Sequence, residues 1–294
     1  MLRASAPAKV NLTIAVGPRE ADGFHQLRSV FLRLGLADEL EVELSGGHPG
    51  PDELAVGGDF ECPVQGNLVL RAFKLVRDAV GQPLPPLRSR LTKRVPVGAG
   101  LAGGSSDGAA ALQLAQAAWG VGLAPAVQGA LGLALGSDVP FFIHGGAAAL
   151  VEGRGERVTP LPAVSGGAGV LLSPSPTPLA TARVYARFDD LGPPGPSSEL
   201  ITDELASALR QGLDGAALAG MAGRLRAAND LWPAAARLQP TLAVRRDRLE
   251  QLTGRSWLMT GSGPTLLALY PSSEEAKSDY HRLSDDRLII TSLA

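Results

Sequence analysis

The chain is short of cysteine, lysine and aromatic residues, and the first of these shortages closes off a class of function. Its single cysteine, Cys62, excludes an intramolecular disulfide and supplies no paired thiolates for a metal, so the cytoplasm is the expected compartment. Charge of neither sign dominates. The 27 Lys and Arg against 29 Asp and Glu leave a net charge of −2, without the basic surplus that drives sequence-independent binding to nucleic acid. Long apolar runs are missing as well: the most apolar stretch, 121–136, contains Pro125 and Gln128 and falls short of the ~20 residues that a membrane span needs. Residues 1–9 lack a long apolar core followed by a cleavage site and lead straight into a strand pattern, as a protein without a secretion signal would. His48, His144 and His281 have no neighbours at metal-ligand spacing and are expected to be structural or surface residues, like Cys62. What remains is a soluble globular chain, 45% hydrophobic and 19% charged. Its 294 residues suffice for one large or two ordinary domains.

Two further absences decide how the most informative segment is read. Residues 96–107, Pro-Val-Gly-Ala-Gly-Leu-Ala-Gly-Gly-Ser-Ser-Asp, follow a strand pattern and lead into an alanine-rich helical run. Glycines at 98, 100, 103 and 104 remove Cβ atoms so that backbone N–H groups can converge on an anion, and the helix adds its positive end. A P-loop would need a Lys-Ser/Thr pair after its last glycine, but Ser105 and Ser106 follow Gly104. A dinucleotide fingerprint would match Gly98-x-Gly100-x-x-Gly103, but it also requires an acidic residue ~20 positions on, and 108–136 contains neither Asp nor Glu. An NAD-linked oxidoreductase is therefore disfavoured. A phosphate cradle of another kind is expected.

The hydrophobic pattern intermixes strands and helices. Residues 10–16 and 39–44 alternate as half-buried strands, and Val69, Phe73, Val76 and Val80 recur at helical spacing after Asn67, with Gly81 and Pro83 as a stop. A strand over 87–95, the glycine loop, a helix over 105–119 and a second one over 125–135 follow. Strands are expected at 147–152, 156–161 and 167–172, then a Gly/Pro-rich loop at 192–196, helices to 252, and strands at 257–259, 266–270 and 288–290 with a helix between the last two. This is an α+β pattern with a domain boundary near 150–165.

Three motifs in order carry a family resemblance: Pro7-Ala8-Lys9-Val10-Asn11-Leu12, the loop Pro96-Val97-Gly98-Ala99-Gly100-Leu101-Ala102-Gly103-Gly104-Ser105-Ser106, and Leu258-Met259-Thr260-Gly261-Ser262-Gly263-Pro264-Thr265. Together they resemble the GHMP kinases, named after galactose, homoserine, mevalonate and phosphomevalonate. The resemblance implies a two-domain fold with an N-terminal ribosomal S5 domain 2-like domain and a C-terminal ferredoxin-like domain, with the active site in the cleft. The ATP-binding domain would occupy 1–155 and the substrate-binding domain 156–294. ATP would lie on residues 96–106, with Mg²⁺ expected and its ligands unassigned.

Individual residues carry two readings each. Asp138, in Gly-Ser-Asp-Val-Pro-Phe-Phe, reads from spacing as a turn or N-cap aspartate, whereas the resemblance makes it the catalytic base. Lys9 opens an otherwise uncharged strand. It is either a solvated strand-start lysine or, by resemblance, the cation that supports Asp138 and the acceptor hydroxyl. Asn67 suits helix capping and, by resemblance, contact with adenine. Ser105 and Ser106 suit either an N-cap or the phosphates.

Phe24 and His25, in Ala-Asp-Gly-Phe-His, form either a half-buried turn or a stacking face beside a base-reading edge. The second reading follows from similarity to the cytidine-recognising branch of the family, in which Tyr185 would close the other face of the base. Asn11 would meet the substrate near its reacting end. Thr177, Gly261, Ser262 and Gly263 would approach its diphosphate, although the last three also suit a tight hairpin. The implied activity is ATP-dependent phosphorylation of the 2-hydroxyl of a cytidine diphosphate derivative of methylerythritol, in the non-mevalonate isoprenoid pathway, by a monomer or homodimer. Kinases for homoserine or a mevalonate derivative are the alternative within the family, and a non-catalytic nucleotide binder is the alternative outside it.

Overall fold

A computed structural model describes residues 1–21, 23–46, 50–192, 195, 197–283 and 287–294. Asp22, His48 and most of the expected loop at 192–196 lie outside the described residues. In chain order, β1 (Leu2–Asn11), β2 (Ala15–Arg19), β3 (His25–Leu44) and β4 (Glu53–Gly58) precede α1 (Leu68–Val80) and β5 (Leu87–Lys93). Next come α2 (Gly103–Trp119), α3 (Pro125–Leu135) and α4 (Val139–His144), then β6 (Ala148–Gly153), β7 (Arg157–Leu161) and β8 (Gly169–Ser173). A helical stretch runs through α5 (Thr181–Leu191), α6 (Ser197–Arg210), α7 (Gly215–Gly220), α8 (Ala222–Leu225), α9 (Trp232–Leu238) and α10 (Pro240–Thr253). The chain ends with β9 (Leu258–Met259), β10 (Leu266–Tyr270), α11 (Ser273–Leu283) and β11 (Ile289–Ser292). These elements form two compact units, each assembled from separated segments.

The first unit comprises Met1–Ala8, Leu36–Val97 and Ala102–Gly145. Its half of β3 pairs antiparallel with β5, Glu39 opposite Thr92 and Leu44 opposite Leu87, and β5 pairs parallel with β4. Along β5 burial alternates, so Leu87, Ser89, Leu91 and Lys93 share the inner face while Arg88 and Arg90 point out. Helix α1 buries Val69, Ala72, Phe73 and Val76 on one stripe, each full burial of a Val or Phe contributing ~1.5–3 kcal/mol. Asn67 caps its start, with Oδ1 accepting from Val69 N–H at 3.0 Å, and Gly81 ends it in the left-handed conformation. Helix α2 is buried on nearly every side from Ser106 to Gln116, which its run of alanines permits.

The second unit comprises Lys9–Gly35, Gly98–Leu101 and Gly146–Ala294. Residues 27–32 of β3 pair antiparallel with β6, which pairs antiparallel with β7. A separate antiparallel sheet has the order β11-β8-β10-β9. Its inner strand β10, Leu-Leu-Ala-Leu-Tyr, is wholly buried, as a strand covered on both faces must be. Val184 and Phe188 of α5, Leu231, Trp257 and Tyr270 fill the adjoining core.

The strand expected at 10–16 is divided between β1 and β2, because the intervening amides bond elsewhere: Leu12 N–H to Val30 O at 3.0 Å and Ile14 N–H to Ala228 O at 2.7 Å. Helix α2 begins at Gly103, two residues before the expected start. A Cβ at 103 would lie 2.9 Å from Val95 Cγ1, so only glycine lets the first turn pack this closely. β4, α4 and most of β3 had no counterpart in the expected pattern.

Candidate active site

Strand alternation places Lys9 and Asn11 on the same face of β1. Lys9 Nζ donates to Asn11 Oδ1 at 2.6 Å and lies 4.6 Å from the centre of the Phe31 ring, while Asn11 Nδ2 donates to Ser29 Oγ at 3.0 Å. Lys9 is only 4% exposed, which removes the reading as a solvated lysine.

Within the second unit this pair is joined to the other two motifs. Lys9 N–H donates to Leu101 O at 3.0 Å, Asn11 N–H to Thr260 Oγ1 at 2.8 Å, and Thr265 Oγ1 to Ala99 O at 2.6 Å. At Gly100, which has φ +78°, a Cβ would lie 2.8 Å from Gly263 O, so the glycine loop and the C-terminal glycine turn touch backbone to backbone. Asn229 Nδ2 fixes that turn by donating to Met259 O at 2.8 Å and Gly261 O at 3.0 Å.

In the first unit, the far end of the loop carries Ala102 at φ 56° and ψ 29°, left-handed values that cost a non-glycine residue about 1–3 kcal/mol. The start of α2 has no side-chain cap, and Ser106 Oγ is buried without a hydrogen-bond partner. An uncapped start of a 17-residue helix beside an unused hydroxyl suits an anion. Asp138 occupies the N-cap position of α4, yet its carboxylate makes no capping bond there. The half-buried side chain is thus not explained as a helix cap. Asn67 is engaged in its cap, with Nδ2 donating to Pro63 O at 3.2 Å.

Around the expected base site, Phe24 is 55% exposed, with the Arg154 guanidinium 4.5 Å from its ring centre. The His25 and Tyr185 rings lie 5.5 Å apart at 34°, and Phe188 meets His25 edge-on at 5.6 Å. His25 Nδ1 is 2.8 Å from Gly17 O, and because a carbonyl only accepts, Nδ1 carries the proton. Nε2 sits 2.9 Å from Asp189 Oδ1 without meeting hydrogen-bond geometry. Ser262 Oγ is 2.9 Å from Thr181 Oγ1, and the exposed Thr177 donates its N–H to Ser175 Oγ at 3.3 Å.

Sequence reasoning did not single out Asp189 or Arg245. Arg245 donates to Pro174 O at 3.0 Å and to Pro264 O at 2.6 Å, tying the Pro-rich segment to the glycine turn. It also did not find the cluster of Asp38, Lys93 and Asp107. There Lys93 Nζ pairs with Asp38 and, at 2.8 Å, with Asp107 Oδ2. Burial, reinforced by Asp38 and opposed by Lys93, pushes Asp107 up to about 7. For Lys93, burial alone would lower the pKa, but the two carboxylates outweigh it and raise it. Among the described residues, no group of three His, Cys, Asp or Glu is arranged to hold a metal ion, and no helix is long and apolar enough to cross a membrane.

The model of the GHMP kinases N terminal domain matches residues 67–146, and that of the GHMP kinases C terminal matches 205–287. The chain belongs to the GHMP kinases and has their two-domain α+β fold. It is 37% identical to the 4-diphosphocytidyl-2-C-methyl-D-erythritol kinase of Salinispora arenicola, over 94% of this chain and 85% of that protein. A crystal structure of 4-(cytidine 5'-diphospho)-2C-methyl-D-erythritol kinase is similar, with a TM-score of 0.75 and 33% identity, covering 100% of this chain and 99% of that one. Homoserine kinase from Cytophaga hutchinsonii gives a TM-score of 0.69 at 17% identity, covering 99% of this chain and 94% of that one, a likeness of fold alone.

Proposed function

We propose that the chain transfers the γ-phosphoryl group of ATP to the 2-hydroxyl of 4-diphosphocytidyl-2-C-methyl-D-erythritol, giving the 2-phosphate and ADP in the non-mevalonate isoprenoid pathway of the cytoplasm. The observation that carries this reading is the junction of the three motifs, where Lys9, Asn11, the glycine loop and the glycine turn are bonded to one another in one unit. Similarity to the kinases of that name over nearly the whole chain supports the substrate. On this reading 1–155 is the ATP-binding domain and 156–294 the substrate-binding domain.

Phosphoryl transfer asks for positioning and charge compensation more than covalent chemistry. Residues 96–106 hold the triphosphate through backbone N–H groups, with the α2 start and the Ser105 and Ser106 hydroxyls adding donors. Asn67 contacts adenine while it caps α1. Asp138 takes the proton of the acceptor hydroxyl. Lys9, buried and steadied by Asn11, offsets the charge that develops on the acceptor oxygen, and Asn11 meets the substrate beside it. Phe24 and Tyr185 stack on the cytosine ring. His25, whose Nε2 lies 2.9 Å from Asp189 Oδ1, reads the polar edge of the base. Thr177, Gly261, Ser262 and Gly263 approach the diphosphate. Mg²⁺ is expected to accompany the triphosphate, with its protein ligands unassigned. Such an ion would supply neutralisation of negative charge on the triphosphate.

Phosphorus NMR of the product tests the reaction. A new monoester phosphate on the 2-oxygen, with the diphosphate bridge intact, is expected. Hydrolysis of ATP without a phosphorylated alcohol would overturn the proposal.

A further inference from the structure

Three charges lie at the heart of the first unit. The side chains of Asp38, Lys93 and Asp107 are 0%, 3% and 3% exposed. Lys93 is inward because strand parity puts it on the same face of β5 as Leu87, Ser89 and Leu91. Asp38 Oδ1 accepts the N–H groups of Arg94 at 2.5 Å and Val95 at 2.8 Å, while its Oδ2 receives Lys93 Nζ. Lys93 Nζ then reaches Asp107 Oδ2 at 2.8 Å, in the early turns of α2. The end of β5 and the start of α2 are the two stems from which the glycine loop hangs. A Cβ on Gly103 would lie 3.2 Å from Asp38 Oδ2, so the stems meet over the cluster.

A buried ion pair is a poor device for stability alone, since apolar residues of similar volume often serve as well or better. Two carboxylates on one ammonium are poorer still. What such a cluster supplies is direction: one acid fixes two amides of the outgoing stem, and one lysine fixes the helix that receives the loop. We propose that Asp38, Lys93 and Asp107 are positioning residues for nucleotide binding, an ionic clasp that holds both stems of the phosphate loop in the spacing that ATP requires. The inference rests on the reading of residues 96–106 as the ATP site.

Steady-state kinetics of Asp107→Ala, Asp107→Asn and Lys93→Met, each with a thermal unfolding curve, test it. Loss of the buried charged hydrogen bond in Asp107→Ala is expected to raise KM for ATP by about tenfold, with KM for the cytidyl alcohol unchanged. Asp107→Asn, whose amide oxygen still accepts from Lys93, restores most of the ATP affinity. If Asp107→Ala does not fold, Lys93→Met is expected to show the same split. Unchanged KM for ATP in a folded variant overturns the clasp. So does a parallel rise in both KM values that tracks the loss of stability, because a merely structural staple would behave that way. Gly100→Ala separates the two ideas. If it too leaves KM for ATP unchanged, the ATP site has been misplaced. If it raises that KM while the clasp variants do not, only the clasp falls.

Discussion

Thr265 donates its hydroxyl to the carbonyl oxygen of Ala99 at 2.6 Å across 166 residues of sequence, and both residues are buried. This bond ties the C-terminal glycine turn to the glycine loop. Thr265→Val keeps the shape but leaves the Ala99 carbonyl unpaired, at a cost of about 1–3 kcal/mol. Lower unfolding free energy and a raised KM for ATP are expected together in denaturant melts and kinetics. A wild-type KM in the folded variant would mean that the loop does not depend on this bond.

Asp138 stands at the N-cap of α4 without capping it. Asp138→Asn should fold while kcat falls by ~10²–10⁴, the usual worth of a general base. A variant that loses stability but keeps its turnover would return Asp138 to a structural role.

Phe24 is largely exposed, so its removal costs the fold little. If it stacks on cytosine, Phe24→Ala loses ~1–3 kcal/mol of base stacking, a rise of ~5- to 150-fold in KM for the cytidyl alcohol. KM for ATP should not move. An unchanged KM for the alcohol would favour a substrate without a base.

Asp107 gives the stability a pH dependence of known sign. Its pKa is raised from 3.8 to about 7 on folding, so between those values the native state binds more protons than the unfolded one. Stability from this group is therefore highest at acid pH and falls as pH rises through that window. Asp107→Asn should flatten that slope in melts taken from pH 4 to 7.5. An identical slope in wild type and variant would refute the assignment.

The local features of this chain were legible, and the long-range ones were not. The Asn67 cap, the Gly81 stop and the glycine loop announce themselves within a few residues, because caps and turns are short-range chemistry. β4, with the sequence Glu-Leu-Ala-Val-Gly-Gly, carries too weak an alternation to be recognised before its pairing with β5 is known. Nothing near Asp38 foretells its bond to Lys93, which lies 55 positions away. The available signal was indirect: Lys93 is one of four lysines and stands at an inward-facing register of its strand. Asp189 and Arg245 join segments far apart in sequence and left no local trace.

The most direct test of function is ADP release from ATP with three alcohols offered in parallel: 4-diphosphocytidyl-2-C-methyl-D-erythritol, homoserine and mevalonate. The expected result is a kcat/KM for the cytidyl alcohol at least ~100-fold above the other two, since on the proposed reading substrates without a base forgo its stacking and hydrogen bonds. Equal or faster turnover of homoserine or mevalonate would contradict it.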